Sequence, residues 1–259
     1  MKTSPKIGLV LSGGGARGFA HLGMIKALQE NNVEISAVSG TSAGALIGAF
    51  FCQGYSPDET LEIIEKTSLI SSLRPSFNRR SLLKIESAYK ELIKYFTHDS
   101  FDKLTIPLYV TATDIVKAEQ VIFNSGPLIK PLLASSSIPV VFDPIVFNGK
   151  TLIDGGIMDN LPHLPLKEVC DKIIGMHSNP LSSDYHLTNW KSLIERSLMM
   201  TVTQNVYSKS DQFDLFLEPG GIGVFKVFDF KSARKIFNLG YQYLKEEISK
   251  GVLDKLKIQ

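Results

Sequence analysis

An α/β fold with a mostly parallel central sheet and helices on both faces is what this sequence predicts. Two observations carry the prediction. Short apolar runs of strand length alternate with longer helical patterns through most of the chain, as crossover units do. The first of these runs also empties into a glycine loop that opens a helix, the usual construction at the ligand-binding edge of such sheets.

The elements follow in order. Ile7–Leu11 reads as a strand and Ala16–Glu30 as the helix behind its glycine loop. Ile35–Ser39 is the second strand, followed by an apolar helix at Ala43–Gln53 with Gly54 as its C-cap. Ser56 and Pro57 read as N-cap and first residue of the next helix, Pro57–Thr67, with Asp58 and Glu59 where the helix dipole favours negative charge. Ser81–Phe96 is amphipathic at helical spacing. Strands at Leu108–Thr113 and Gln120–Phe123 precede a helix at Pro127–Ala134. Strands at Ile145–Phe147 and Leu152–Ile153 precede a helix at Leu164–Val169. Lys172–Met176 is a strand, Asn189–Tyr207 a helix, Leu215–Leu217 a strand and Lys231–Lys250 a helix. No repeat, low-complexity tract or linker interrupts the series, so one domain over 1–259 is expected, its motifs within Ile7–Lys167 and residues 168–259 completing the same fold.

Composition narrows the function. With 259 residues, 44% hydrophobic, the chain can bury a sizeable core. A net charge of +2 gives no basic surplus for nucleic acid, and none is expected as a partner. Cys52 and Cys170 lie far apart without metal spacing, which suits free thiols in a reducing compartment. Met1–Lys6 is polar, and the longest apolar run, Ala43–Cys52, is about half of the ~18–20 residues a spanning helix needs. A cytoplasmic protein is expected, with signal-less secretion also compatible.

Gly13, Gly15 and Gly18 spell G-x-G-x-x-G, the fingerprint of a dinucleotide turn. Such a site needs a carboxylate at the end of the second strand, and none is there. What stands there is Gly40-Thr41-Ser42-Ala43-Gly44, a G-x-S-x-G pentapeptide between strand and helix. That pattern places a serine on a strained turn, where Gly40 and Gly44 let strand and helix approach. The helix N-terminus behind Ser42 favours an alkoxide, and the amides of Gly13, Gly14 and Gly15 suit an oxyanion hole as well as a pyrophosphate. Arg17 adds a positive charge nearby.

A serine needs a base. Two candidates stay open on the residues alone. Ser42, Asp154 and His177 come in an order that allows a triad, although no histidine sits in a motif of its own. Alternatively Asp154, ending a short strand before Gly155 and Gly156, contacts Ser42 directly, because two glycines permit close backbone approach.

With these motifs in place the sequence resembles the patatin-like phospholipases. Gly13–Gly18, Gly40–Gly44 and Asp154–Gly156 match the family's motifs in order, and "ASSSIPVVFDP" (Ala134–Pro144) and "DGGIMDNLP" (Asp154–Pro162, with Asn160) match two longer stretches. The resemblance implies a three-layer α/β/α sandwich like that of cytosolic phospholipase A2. It implies Ser42 as nucleophile and Asp154 as base in a dyad, and an oxyanion hole at Gly13–Gly18 with Arg17 in the family's basic position. It implies hydrolysis of phospholipid, lysophospholipid or neutral-lipid acyl esters, with no metal and no cofactor. Phe225–Ile248 is similar to the closing strand and helix of compact bacterial members.

Leu73–Phe96 is basic at its start (Arg74, Arg79, Arg80, Lys84) and carries Leu82, Ile85, Tyr89, Leu92, Ile93 and Phe96 on one helical face. It reads either as a cap touching anionic membrane or as a helix packed on the domain. Two other functions compete: hydrolysis of short- or medium-chain soluble esters or thioesters by the same dyad, and non-catalytic nucleotide binding by the glycine loop.

Overall fold

The computed structural model describes residues 4–67, 81–139, 141–181 and 185–257. Eight strands form one sheet: β1 (Ile7–Leu11), β2 (Ile35–Thr41), β3 (Leu108–Asp114), β4 (Glu119–Phe123), β5 (Ile145–Phe147), β6 (Lys150–Asp154), β7 (Lys172–Met176) and β8 (Leu215–Leu217). Their order is β5-β6-β3-β2-β1-β7-β8, with β4 on β3. The run β3-β2-β1-β7-β8 is parallel throughout. The β4, β5 and β6 side is antiparallel. Hairpins make the β3–β4 and β5–β6 pairs antiparallel, while β6 returns antiparallel to β3 after a longer connection. The β5–β6 turn is Asn148-Gly149, with φ of 50° and 71°, the left-handed pair that a tight hairpin requires.

The helices are α1 (Phe19–Glu30), α2 (Ala43–Gln53), α3 (Pro57–Lys66), α4 (Ser81–Leu92), α5 (Ile129–Ser135), α6 (Leu164–Lys167), α7 (Trp190–Tyr207) and α8 (Ala233–Ser249). β1 shows how the layers form. Leu9 and Leu11 point into a core shared with α1, α2 and α8, while Val10 points the other way, into a smaller cluster with Leu166 of α6 and Val206 of α7. A strand buried on both faces is apolar throughout, as "IGLVL" is. Three layers result.

Local signals hold where they were read. Ser56 caps α3 in a reciprocal box, its hydroxyl accepting from the Glu59 amide while the Glu59 carboxylate accepts from the Ser56 amide. Gly54 closes α2 in the left-handed region, at φ 104°. Both cysteines are free thiols. The expected helix from Ala16 begins instead as a single tight turn, Gly15–Gly18, before α1. The C-terminal segment forms its helix, but Phe225–Asp229 is a loop rather than the expected strand. Its Val227 carbonyl accepts from the Ala16 amide, so this backbone is spent on the glycine loop, not on a sheet ladder.

Residues 68–80, including Arg74, Arg79 and Arg80, lie outside the described residues. Beyond them the amphipathic segment packs inward. Ala88, Leu92 and Phe96 are buried, and the Phe96 ring lies 5.0 Å from that of Phe50. The end of the apolar stripe read as a membrane contact is therefore part of the core. No helix among the described residues is long and apolar enough to cross a membrane.

α8 crosses α1 with backbones in contact. A Cβ on Gly23 would lie 2.6 Å from the Tyr241 amide nitrogen, and one on Gly240 would strike the Ala20 backbone. Nothing flexible can yield there. Gly23→Ala is expected to cost about 3 kcal/mol, the upper range for overpacking, read as a lowered urea midpoint at unchanged slope.

Candidate active site

Register brings Ser42 and Asp154 together. β2 pairs with the first half of β3, ending with Thr41 opposite Thr111. β6 pairs with the second half, ending with Asp154 opposite Ala112. The two strands thus run toward each other beside β3 and turn away where they meet. Both turns need room. A Cβ on Gly40 would lie 2.7 Å from the Gly44 carbonyl carbon, and one on Gly155 would collide with the Thr111 carbonyl. A Cβ on Gly44 would collide with the end of β1 at Leu11 and Ser12.

Ser42 sits at φ 54°, ψ −122°, a conformation an L-residue keeps only when its surroundings impose it. Ser135 does much of the imposing. Its hydroxyl accepts from the Ser42 amide at 2.8 Å and donates to the Thr111 carbonyl at 2.6 Å, tying the elbow to β3. Ser135 falls in the "ASSSIPVVFDP" stretch, which sequence reading noted without giving it a role. Thr41 Oγ1 donates to the Asp159 carbonyl at 2.9 Å, tying β2 to the loop after Asp154.

The Asp154 carboxylate lies within electrostatic reach of the Ser42 side chain, and its Oδ1 accepts from the Gly156 amide at 2.8 Å. Burial dominates the electrostatics. Loss of water lifts the Asp154 carboxyl to about 6, against the downward pull of the Ser42 side chain and the Gly156 amide. No histidine hydrogen-bonds either residue among the described residues. His177 Nδ1 bonds Glu218 Oε2 at 2.6 Å, away from the reading that joined it to Asp154. His21 Nε2 donates to the Ser12 carbonyl, and burial lowers it to about 4, neutral beneath the loop.

The glycine loop divides its work. The Gly13 amide donates to Asn160 Oδ1 at 3.1 Å and is occupied. The amides of Gly14 and Gly15 have no acceptor among the described residues. Gly15 takes φ 56°, and a Cβ on it would strike the Val227 carbonyl. Gly18 lies in close contact with the elbow helix: a Cβ there would lie 2.9 Å from that of Ala43. Arg17 also departs from the expectation. Its guanidinium donates to the carbonyls of Phe225, Gly223 and Pro180 and to Asn179 Oδ1. These partners hold it on the C-terminal loop, and sequence reading had no way to name them.

An open, apolar cleft leads to Ser42, lined by Phe19, Leu46, Ile64, Phe142, Phe228 and Phe230 among others. No group of three or more His, Cys, Asp or Glu side chains with metal-holding geometry occurs among the described residues.

A serine on a strained strand-to-helix turn at the C-terminal edge of a mostly parallel sheet places the chain among α/β proteins with a sharp serine turn at that edge. More particularly, the chain belongs to the patatin-like phospholipase family, whose profile matches residues 9–167. An uncharacterised NTE family protein of Mycobacterium bovis is 33% identical over 64% of this chain and 47% of its own length. Lysophospholipase NTE1 of Eremothecium gossypii is 32% identical over 62% of this chain and 11% of its own. The match thus spans about half or less of these relatives. VipD of Legionella pneumophila shares the fold, with a TM-score of 0.56 at 14% identity over 96% of this chain and 67% of that structure.

Proposed function

We propose that this protein is a serine hydrolase of lipid acyl esters, of the phospholipase A or lysophospholipase type, working through a Ser42–Asp154 dyad. The observation that carries the reading is the strand register that brings Ser42, on its strained turn, beside a buried carboxylate held near 6. An ordinary carboxylate is too weak a base at neutral pH, and burial removes most of that deficit. The apolar cleft favours an acyl chain over a polar substrate. The name of the Eremothecium relative supports lysophospholipid as one substrate class.

In the proposed cycle Asp154 takes the hydroxyl proton as Ser42 Oγ bonds to the ester carbonyl carbon. The carbonyl oxygen gains the electron pair and is met by the Gly14 and Gly15 amides. Collapse breaks the ester C–O bond, and Asp154 returns its proton to the departing alcohol. Water, deprotonated by Asp154, then cleaves the acyl-serine. Every proton moves among Ser42, Asp154, the alcohol and water.

A fluorophosphonate probe tests this directly. One adduct per chain is expected, mapping to Ser42. A folded chain that takes no adduct overturns the proposal. The base must be ionised, so kcat/KM is expected to rise with pH through about 6, falling about tenfold per unit well below it. A flat profile from pH 5 to 8 would remove Asp154 as the base.

A further inference from the structure

The proposed reading leaves Arg17 without a part in the chemistry, and its surroundings give it another. Nε donates to the Phe225 carbonyl at 2.8 Å and Nη2 to the Gly223 carbonyl at 3.2 Å. Nη1 donates to Asn179 Oδ1 at 2.7 Å and to the Pro180 carbonyl at 3.3 Å. One side chain thus joins the glycine loop to two segments more than 160 residues away in sequence. Next to it the Ala16 amide meets the Val227 carbonyl at 2.7 Å. The loop caught by these bonds leads directly into Phe228 and Phe230, two aromatic walls of the cleft at Ser42. Phe230 packs edge-on against Phe19 at 6.4 Å, and Phe228 lies tilted against Phe230 at 6.5 Å. Phe228 is still 37% exposed, so contact with its neighbours alone holds it weakly.

We propose that Arg17 is a positioning residue for acyl-chain selection, fastening the 223–230 loop so that Phe228 and Phe230 close one wall of the cleft. This rests on reading the cleft as the acyl site. These four acceptors are oxygens spread around a planar fork, a geometry that three guanidinium nitrogens satisfy and a single ammonium does not.

The experiment compares wild type, Arg17→Lys, Arg17→Gln and Phe228→Ala on p-nitrophenyl esters from acetyl to dodecanoyl. Both Arg17 variants are expected to lose at least tenfold more kcat/KM on the dodecanoyl ester than on the acetyl ester, mainly through KM. Phe228→Ala is expected to shift the profile the same way. A loss equal at all chain lengths and restored by Arg17→Lys would overturn the proposal, since it would place the charge at the reacting atoms. An unchanged chain-length profile in Phe228→Ala would overturn it as well, even if both Arg17 variants misfold. Limited trypsin digestion supplies a readout free of catalysis. Cleavage after the exposed Lys226 is expected to quicken at least fivefold in both Arg17 variants, with the rest of the chain protected. An unchanged rate overturns the strut even if fluorophosphonate finds no active serine, so the two proposals fail separately.

Discussion

Asp154→Asn is expected to slow ester hydrolysis about 10³–10⁴-fold and, at the same time, to make the protein more stable at neutral pH. The two effects share one cause. Folding buries a carboxyl whose ordinary value is 3.8 and holds it at about 6. A raised carboxyl contributes its stability in the protonated form, fully below about pH 4, and loses it as pH climbs past about 6. Two units correspond to about 3 kcal/mol, the most an isosteric neutral group could recover. Asn keeps an oxygen for the Gly156 amide, so about 1–3 kcal/mol is expected, or a rise in Tm of several degrees. Melts at pH 4.5 and 7.5 read the sign. The gap should be small at the lower pH and open at the higher. A variant no more stable than wild type at pH 7.5 would show that the carboxylate is not held against its preference.

Ser42→Ala is expected to abolish the fluorophosphonate adduct and to lower kcat by about 10⁴–10⁶-fold. Ser42→Gly should be equally inactive yet differ in stability. Alanine at φ 54° keeps the backbone strain of the elbow, whereas glycine releases it. The glycine variant is therefore expected to be about 1 kcal/mol more stable than the alanine variant by urea denaturation. Equal stabilities would mean that the elbow conformation costs nothing here, and residual turnover above about 1% in either variant would assign the nucleophile elsewhere.

Much of this site was legible because its chemistry is local. Gly40, Ser42 and Gly44 announce a tight strand-to-helix turn within five residues, and the structure builds that turn. Asp154 with its two glycines reads as a carboxylate at a close approach, and Gly155 does lie against Thr111. The Asn148-Gly149 hairpin carried its own signal too, one that would have predicted the antiparallel side of the sheet. The remainder depended on register and on distant partners. That Ser42 and Asp154 meet follows from two strands sharing β3 end to end, which no spacing encodes. The duties of the glycine loop were misassigned in part for the same reason. Asn160, Val227 and Phe225 decide which amides and which side chains are occupied, and all lie far along the chain. Phe225–Asp229 has the apolar, aromatic composition of a strand but is held by side-chain and loop bonds instead.

The capture of the Ala16 amide by Val227 has a consequence for the order of assembly. The elbow and the first strands can associate early, from sequence-near pieces, but the donor loop takes its final shape only when a partner about two hundred residues downstream arrives. The serine turn and the glycine loop thus depend on contacts of very different sequence separation. On the proposed reading, displacing the C-terminal loop would leave the serine turn in place and deprive it of the donor loop beside it.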